Sequence, residues 1–154
     1  MTIQVSRRSA LSLGMGALAL NASIGVYASP ALAAKNDSDE LIKKFSGGKE
    51  VAKGKVKLDL PQIAENGNTV PMTVSVESPM TEQSYVTEVV VMADANPRAG
   101  VITFHFTPAS GIAEANTRIR LAETQNVIAL AKMNDGSVYM TSQEVKVTIG
   151  GCGG

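Results

Sequence analysis

Seven short stretches with apolar residues at alternate positions, turn signals between them and no helical segment among them predict an all-β fold, an immunoglobulin-like antiparallel β-sandwich of about seven strands. A short N-terminal helix precedes these stretches, and a flexible C-terminal Gly-Gly-Cys-Gly-Gly arm follows them. The chain has no tryptophan and one cysteine, so the sandwich lacks the Cys/Trp core of antibody domains.

The elements follow in order. Ser6-Arg7-Arg8 precedes an uncharged run from Ser9 to Ala34, weakly apolar and interrupted by Gly14, Gly16 and Gly25. The run closes on Ala31-Leu32-Ala33, a small-x-small cleavage site. Residues 1–33 therefore read as a cleaved secretory leader, and Arg7 with Arg8 favours the twin-arginine route. Ala10 departs from that pattern, which has a large apolar residue there. A membrane anchor is the competing reading, disfavoured by the glycines, the weak hydrophobicity and the cleavage site. Export to the periplasm is expected.

Residues 34–54 read as a helix and linker. Asp37 as N-cap and Glu40 three residues on form a capping box, Leu41, Ile42 and Phe45 make an apolar stripe, and Gly47-Gly48 ends the helix. Residues 55–149 read as the sandwich domain, because from Lys55 the period becomes two. Val56, Leu58 and Leu60 alternate with Lys55, Lys57 and Asp59. Val70, Met72, Val74 and Val76 alternate with Pro71, Thr73, Ser75 and Glu77. Further strands are expected at 85–92, 101–107, 116–122, 127–133 and 137–149. Glu65-Asn66-Gly67-Asn68, Ser78-Pro79, Asn96-Pro97, Ala99-Gly100, Pro108 to Gly111 and Asp135-Gly136 separate them, and Asp135-Gly136 is a hairpin signal.

Charge excludes some classes. Loss of Arg7 and Arg8 with the leader leaves 12 basic against 14 acidic residues, net −2. Residues 35–57 carry net +3 and residues 58–154 net −5. The basic segment reads as a solvated stretch or a docking surface for an acidic partner. A net negative body without an aromatic-interleaved basic patch argues against nucleic acid.

Few side chains in the sandwich look catalytic. His105, the only histidine, lies between Phe104 and Phe106 and faces the other way, so a half-exposed strand histidine is the plain reading. With no second histidine, a metal site is not expected. Met72, Met80, Met92, Met133 and Met140 are scattered, as core fillers are. Arg118 and Arg120 share an exposed face. Val89, Val90 and Val91 in series suggest a strand buried on both faces, either against a partner subunit or in the centre of the sandwich.

The chemistry sits at the C-terminus. Cys152, the only cysteine, is flanked by Gly150, Gly151, Gly153 and Gly154. Glycine's conformational freedom makes residues 150–154 a swinging arm, with Cys152 roughly 10 Å from Ile149 when extended. No histidine, lysine or arginine adjoins the thiol, so it lacks the activation that catalytic cysteines need. An exported single cysteine implies an intermolecular bond or a deliberately reactive thiol. That geometry suits a group handed into other proteins' active sites.

The leader, the helix, the β-rich domain and the terminal sequence Val145 to Gly154 together resemble the SoxY family of sulfur carriers. The segments Leu58-Asp59-Leu60-Pro61-Gln62-Ile63-Ala64-Glu65-Asn66-Gly67 and Phe104-His105-Phe106-Thr107-Pro108-Ala109 also resemble that family. The resemblance implies that Cys152 covalently carries thiosulfate-derived intermediates, an S-thiosulfonate and then a persulfide. It implies a heterodimer with a SoxZ-like subunit. It also implies visits to a haem-containing thiosulfate-coupling enzyme, a manganese-dependent sulfate-releasing hydrolase and a molybdenum-containing sulfur dehydrogenase. The carrier itself would be non-catalytic and need no cofactor.

Three rivals differ in class. A ubiquitin-like carrier also ends in Gly-Gly, but its chemistry needs ATP and a helix-crossed sheet. An exported binding module dimerised through its tail cysteine would form a permanent disulfide. A self-contained thiol enzyme would need a resolving cysteine or an activating base near Cys152.

Overall fold

The computed structural model describes residues 36–150. The leader with Arg7 and Arg8, its cleavage site, and Gly151, Cys152, Gly153 and Gly154 lie outside the described residues. Among the described residues the one α-helix, α1 (Ser38–Ser46), runs from N-cap Asp37 to Gly47, whose φ of 61° supplies the left-handed turn that ends it. The expected capping box does not form. Asp37 makes no side-chain cap; its Oδ1 accepts the N–H of Ala99 at 3.1 Å instead. Docking wins over capping here, because the carboxylate is used to tie the helix start to the loop after the fifth strand. Asn36 adds to that tie, donating from Nδ2 to the carbonyls of Ala93 at 2.8 Å and Asn96 at 2.9 Å. The apolar stripe is as expected: Leu41, Ile42 and Phe45 pack on buried Met92, Leu130 and Val138.

Nine strands follow among the described residues, two more than the sequence suggested: β1 (Val51–Lys53), β2 (Val56–Asp59), β3 (Ile63–Ala64), β4 (Val70–Val76), β5 (Val86–Ala93), β6 (Gly100–His105), β7 (Ala113–Ile119), β8 (Gln125–Met133) and β9 (Val138–Val147). They form two sheets. One has the order β1-β9-β8-β5-β6, with β3 also pairing β9; the other has the order β2-β4-β7. The additional strands are β1 and β3, short and parallel to β9 along one edge. The strand expected at 116–122 begins earlier, at Ala113, and stops at Ile119. Leu121 and Ala122 belong to the following loop, where Leu121 donates to Gly67 and Ala122 to the side chain of Asn96.

Alternation places the core between the sheets. Val70, Met72, Val74 and Val76 of β4 are buried and face Val89, Val91, Val127, Ala129 and Val145 of the larger sheet. Burying such side chains is the main stabilising term, at roughly 25 cal/mol per Å² of apolar surface. Met72, Met80, Met92 and Met133 are all buried, and Met140 packs beneath the helix, so the methionines fill core space. The Asp135-Gly136 turn joins β8 to β9, with Gly136 at φ 81° and Ser137 donating to Asp135 from its amide at 2.8 Å and its hydroxyl at 2.6 Å.

The central-strand reading of Val89, Val90 and Val91 agrees with the sheet order. β5 lies between β8 and β6. Val89 and Val91 point into the core, and Val90 packs in the cluster under α1. The helix supplies the second apolar face from within the chain.

Candidate functional site

The described structure ends at the base of the proposed arm, and several backbone ties converge there. β9 pairs along one side with β8, from Lys132–Val138 to Gln125–Val145. Its other side meets β3, with Ile63 opposite Lys146 and Ala64 opposite Val147. Lys146 donates to Gln62 O at 2.9 Å, Thr148 to Ala64 O at 3.1 Å, and Gly67 to Ile149 O at 2.8 Å. Side chains add to the ladder. Thr148 Oγ1 donates to Glu65 O at 3.0 Å, Gln143 Nε2 to Leu60 O at 2.9 Å, and Val147 N–H to Thr124 Oγ1 at 3.0 Å. The segment Leu60 to Gly67 is therefore a splint along the final strand.

Gly67 joins both sides of the splint. It is buried, its N–H reaches Ile149, and its carbonyl accepts from Leu121 at 2.8 Å. The Leu121–Gln125 loop is held in turn by Asn96, whose Oδ1 accepts from Ala122 N–H and Gln125 Nε2, each at 2.9 Å. Asn96 Nδ2 donates to Arg120 O at 2.9 Å. Gln125 is buried and saturated, with Oε1 accepting from Ala95 N–H at 2.9 Å and Nε2 also donating to Glu123 O at 3.0 Å. Buried polar groups need such partners, because an unpaired one costs about 1–3 kcal/mol.

A side chain stepping off this base meets solvent. Ile149 is 68% exposed. Beside β9 and β3 lies an open cleft of about 460 Å³ lined by Gln62, Ile63, Gln143, Glu144 and Lys146. It carries one acid and one base, and its apolar contribution is Ile63, itself 57% exposed.

Of the residues singled out in the sequence, Gly150 alone among the arm residues is described. His105 is exposed on β6 opposite Glu88 of β5, while Phe104 and Phe106 pack on the core. Arg118 and Arg120 are exposed. Among the described residues, no group of three or more His, Cys, Asp or Glu side chains could hold a metal, and no helix is long and apolar enough to cross a membrane. Asn96 and Gln125 were missed. Asn96-Pro97 carries a turn signal and nothing more, whereas Gln125 had a legible clue as an amide that opens an apolar strand.

The family model described as Sulfur oxidation protein SoxY matches residues 42–152, from the helix through Cys152. The chain belongs to the SoxY family. Membership places it among sulfur-oxidation carrier proteins. A solved SoxY sulfur carrier protein from Chlorobium limicola f thiosulfatophilum is similar at 29% identity and a TM-score of 0.60, over 71% of this chain and 90% of that one. A superoxide reductase (neelaredoxin) from Ignicoccus hospitalis matches at 15% identity and a TM-score of 0.56, over 61% of this chain and 80% of that one. The hypothetical protein PH1083 from Pyrococcus horikoshii matches at 14% identity and a TM-score of 0.54, over 68% of this chain and 99% of that one. These last two share the sandwich with SoxY and speak only to fold. No curated protein matches the sequence.

Proposed function

We propose that the chain is an exported, non-catalytic carrier that holds thiosulfate-derived sulfur on Cys152 and presents it to partner enzymes. The observation that carries this reading is the SoxY family match running through Cys152, the only cysteine in the sequence. It is supported by a strand end tied by hydrogen bonds as far as Ile149, which gives the terminal residues a firm base.

The chemistry follows from a thiol without a base of its own. In loading, the Sγ of Cys152 bonds to the outer sulfur of thiosulfate. The thiol proton leaves to solvent, and two electrons pass to a haem-containing coupling enzyme. The S-thiosulfonate then takes up water at a manganese-dependent hydrolase. The bond between the outer sulfur and the sulfone sulfur breaks, sulfate departs, and a persulfide stays on Cys152. A molybdenum-containing dehydrogenase removes six electrons from that outer sulfur as water supplies three oxygens, and a second hydrolysis frees the thiol and another sulfate. Each step needs a slim thiol brought to a different pocket, which Gly150, Gly151, Gly153 and Gly154 permit.

Residues 1–33 serve as a twin-arginine leader and the carrier works in the periplasm, as a heterodimer with a SoxZ-like subunit. Residues 34–54, 55–149 and 150–154 are then linker helix, carrier domain and arm. Intact mass spectrometry of the protein from thiosulfate-oxidising cells tests this reading, before and after a thiol reductant and beside Cys152→Ser. Sulfur adducts that reductant removes and the serine variant lacks are expected. A bare mass throughout, or a permanent disulfide dimer, overturns the carrier in favour of an exported binding module.

A further inference from the structure

Gly150 does more than loosen the chain. Its φ lies outside the left-handed region, so no backbone strain demands glycine there. What demands it is proximity: a Cβ at this position would collide with the carbonyl oxygen of Ala122. That carbonyl is backbone, which cannot swing aside as a flexible side chain does. Its loop is held by Ala122 N–H on Asn96 Oδ1 and by Leu121 N–H on Gly67 O. The preceding residue is held too, because Ile149 O accepts from Gly67 N–H. Gly67 thus touches both walls of a junction into which a hydrogen fits and a methyl group does not.

Resting on the carrier reading, we propose that Gly150 is a positioning residue. Its missing side chain seats the end of β9 against the Ala122 carbonyl, which sets where the thiol-bearing tail leaves the sandwich. Asn96 acts one step removed, by fixing Ala122.

Glycine-to-alanine changes at 150 and 151 cost the tail similar backbone freedom, but only the first places a Cβ against Ala122. The test compares Gly150→Ala, Gly151→Ala, Cys152→Ser and a variant with one extra glycine inserted between Gly150 and Gly151. Four quantities are read: melting temperature, amide hydrogen exchange at Gly67, alkylation of Cys152 by iodoacetamide, and the initial rate of label uptake from radiolabelled thiosulfate in thiosulfate-oxidising cells. Gly150→Ala should speed exchange at Gly67 at least tenfold and slow label uptake about tenfold, with alkylation within twofold of the parent. Gly151→Ala should slow uptake about threefold and leave Gly67 exchange alone. The inserted glycine adds freedom but shifts the thiol, so uptake should fall about fivefold. Equal effects of the two alanines on uptake, unchanged Gly67 exchange in Gly150→Ala, or full uptake with the inserted glycine each overturn the positioning role. Label retained by Cys152→Ser would defeat the carrier reading instead, and Gly67 exchange would still decide whether Gly150 is seated on Ala122.

Discussion

Oδ1 of Asn96 receives the Ala122 amide and Nε2 of Gln125 at the same distance, 2.9 Å, so one side chain closes a loop and satisfies a buried amide together. Asn96→Ala removes both bonds and the one its Nδ2 makes to Arg120 O. The buried Gln125 is then short of a partner, and a loss of about 2–4 kcal/mol is expected from typical hydrogen-bond and desolvation costs. Thermal unfolding checks it, and a midpoint within a degree or two of the parent would contradict the network's importance.

Leu130 is fully buried among Met92, Val138 and the helix residues Leu41, Ile42 and Phe45. Leu130→Ala should cost about 2–5 kcal/mol, as in other buried leucine truncations. It should also loosen α1, since the cavity opens on its docking face. Denaturant unfolding measures the first effect, and hydrogen exchange across Ser38–Ser46 the second.

The β8–β9 turn carries a pH signature. Asp135 is held below the usual carboxylate range by hydrogen bonds from Ser137, hydroxyl first and then amide, with smaller help from Lys55 and Lys49. A carboxyl whose folded value is lowered contributes stability above its unfolded value and loses it as pH falls through the folded one. Ser137→Ala should therefore lower the melting temperature at neutral pH, and the difference should shrink as pH drops below the ordinary aspartate range of about 4. A difference that stays constant down to acid pH would assign the effect to packing instead.

Lys57 and Glu77 form an ion pair at 2.6 Å, but their side chains are 70% and 63% exposed. Solvent screens such pairs. Lys57→Ala is expected to leave the thermal midpoint unchanged at physiological salt, while the Glu77 carboxyl, lowered by its hydrogen bond to Lys57, titrates at higher pH. Carbon-detected NMR titration of Glu77 in both proteins checks this.

Legibility in the sequence followed periodicity. β4 reads directly from Val70-Pro71-Met72-Thr73-Val74-Ser75-Val76, and α1 from its stripe and Gly47. β1 and β3 were illegible, because two or three residues in parallel pairing show no alternation and their existence depends on where β9 lies. Asp37 went to Ala99 instead of its own helix because a tertiary donor competed with the local one. At the site, Cys152 and its glycines stand out in the sequence by composition, and all of them but Gly150 lie outside the described residues. The splint from Leu60 to Gly67 was visible only as part of a resemblance, and the seat of Gly150 on Ala122 is a distance between loops that no spacing encodes.

β9 is the hub of its sheet: Val51 and Ile63 flank it on one side, and β8 on the other. It also leaves the ribosome after every strand it joins, so the edge partners β1 and β3 wait for nearly the whole chain before they can pair. Non-local pairing of this kind slows folding. A nascent chain lacking β9 has an unfinished edge, so the strand that bears the tail is also the one whose arrival completes the domain.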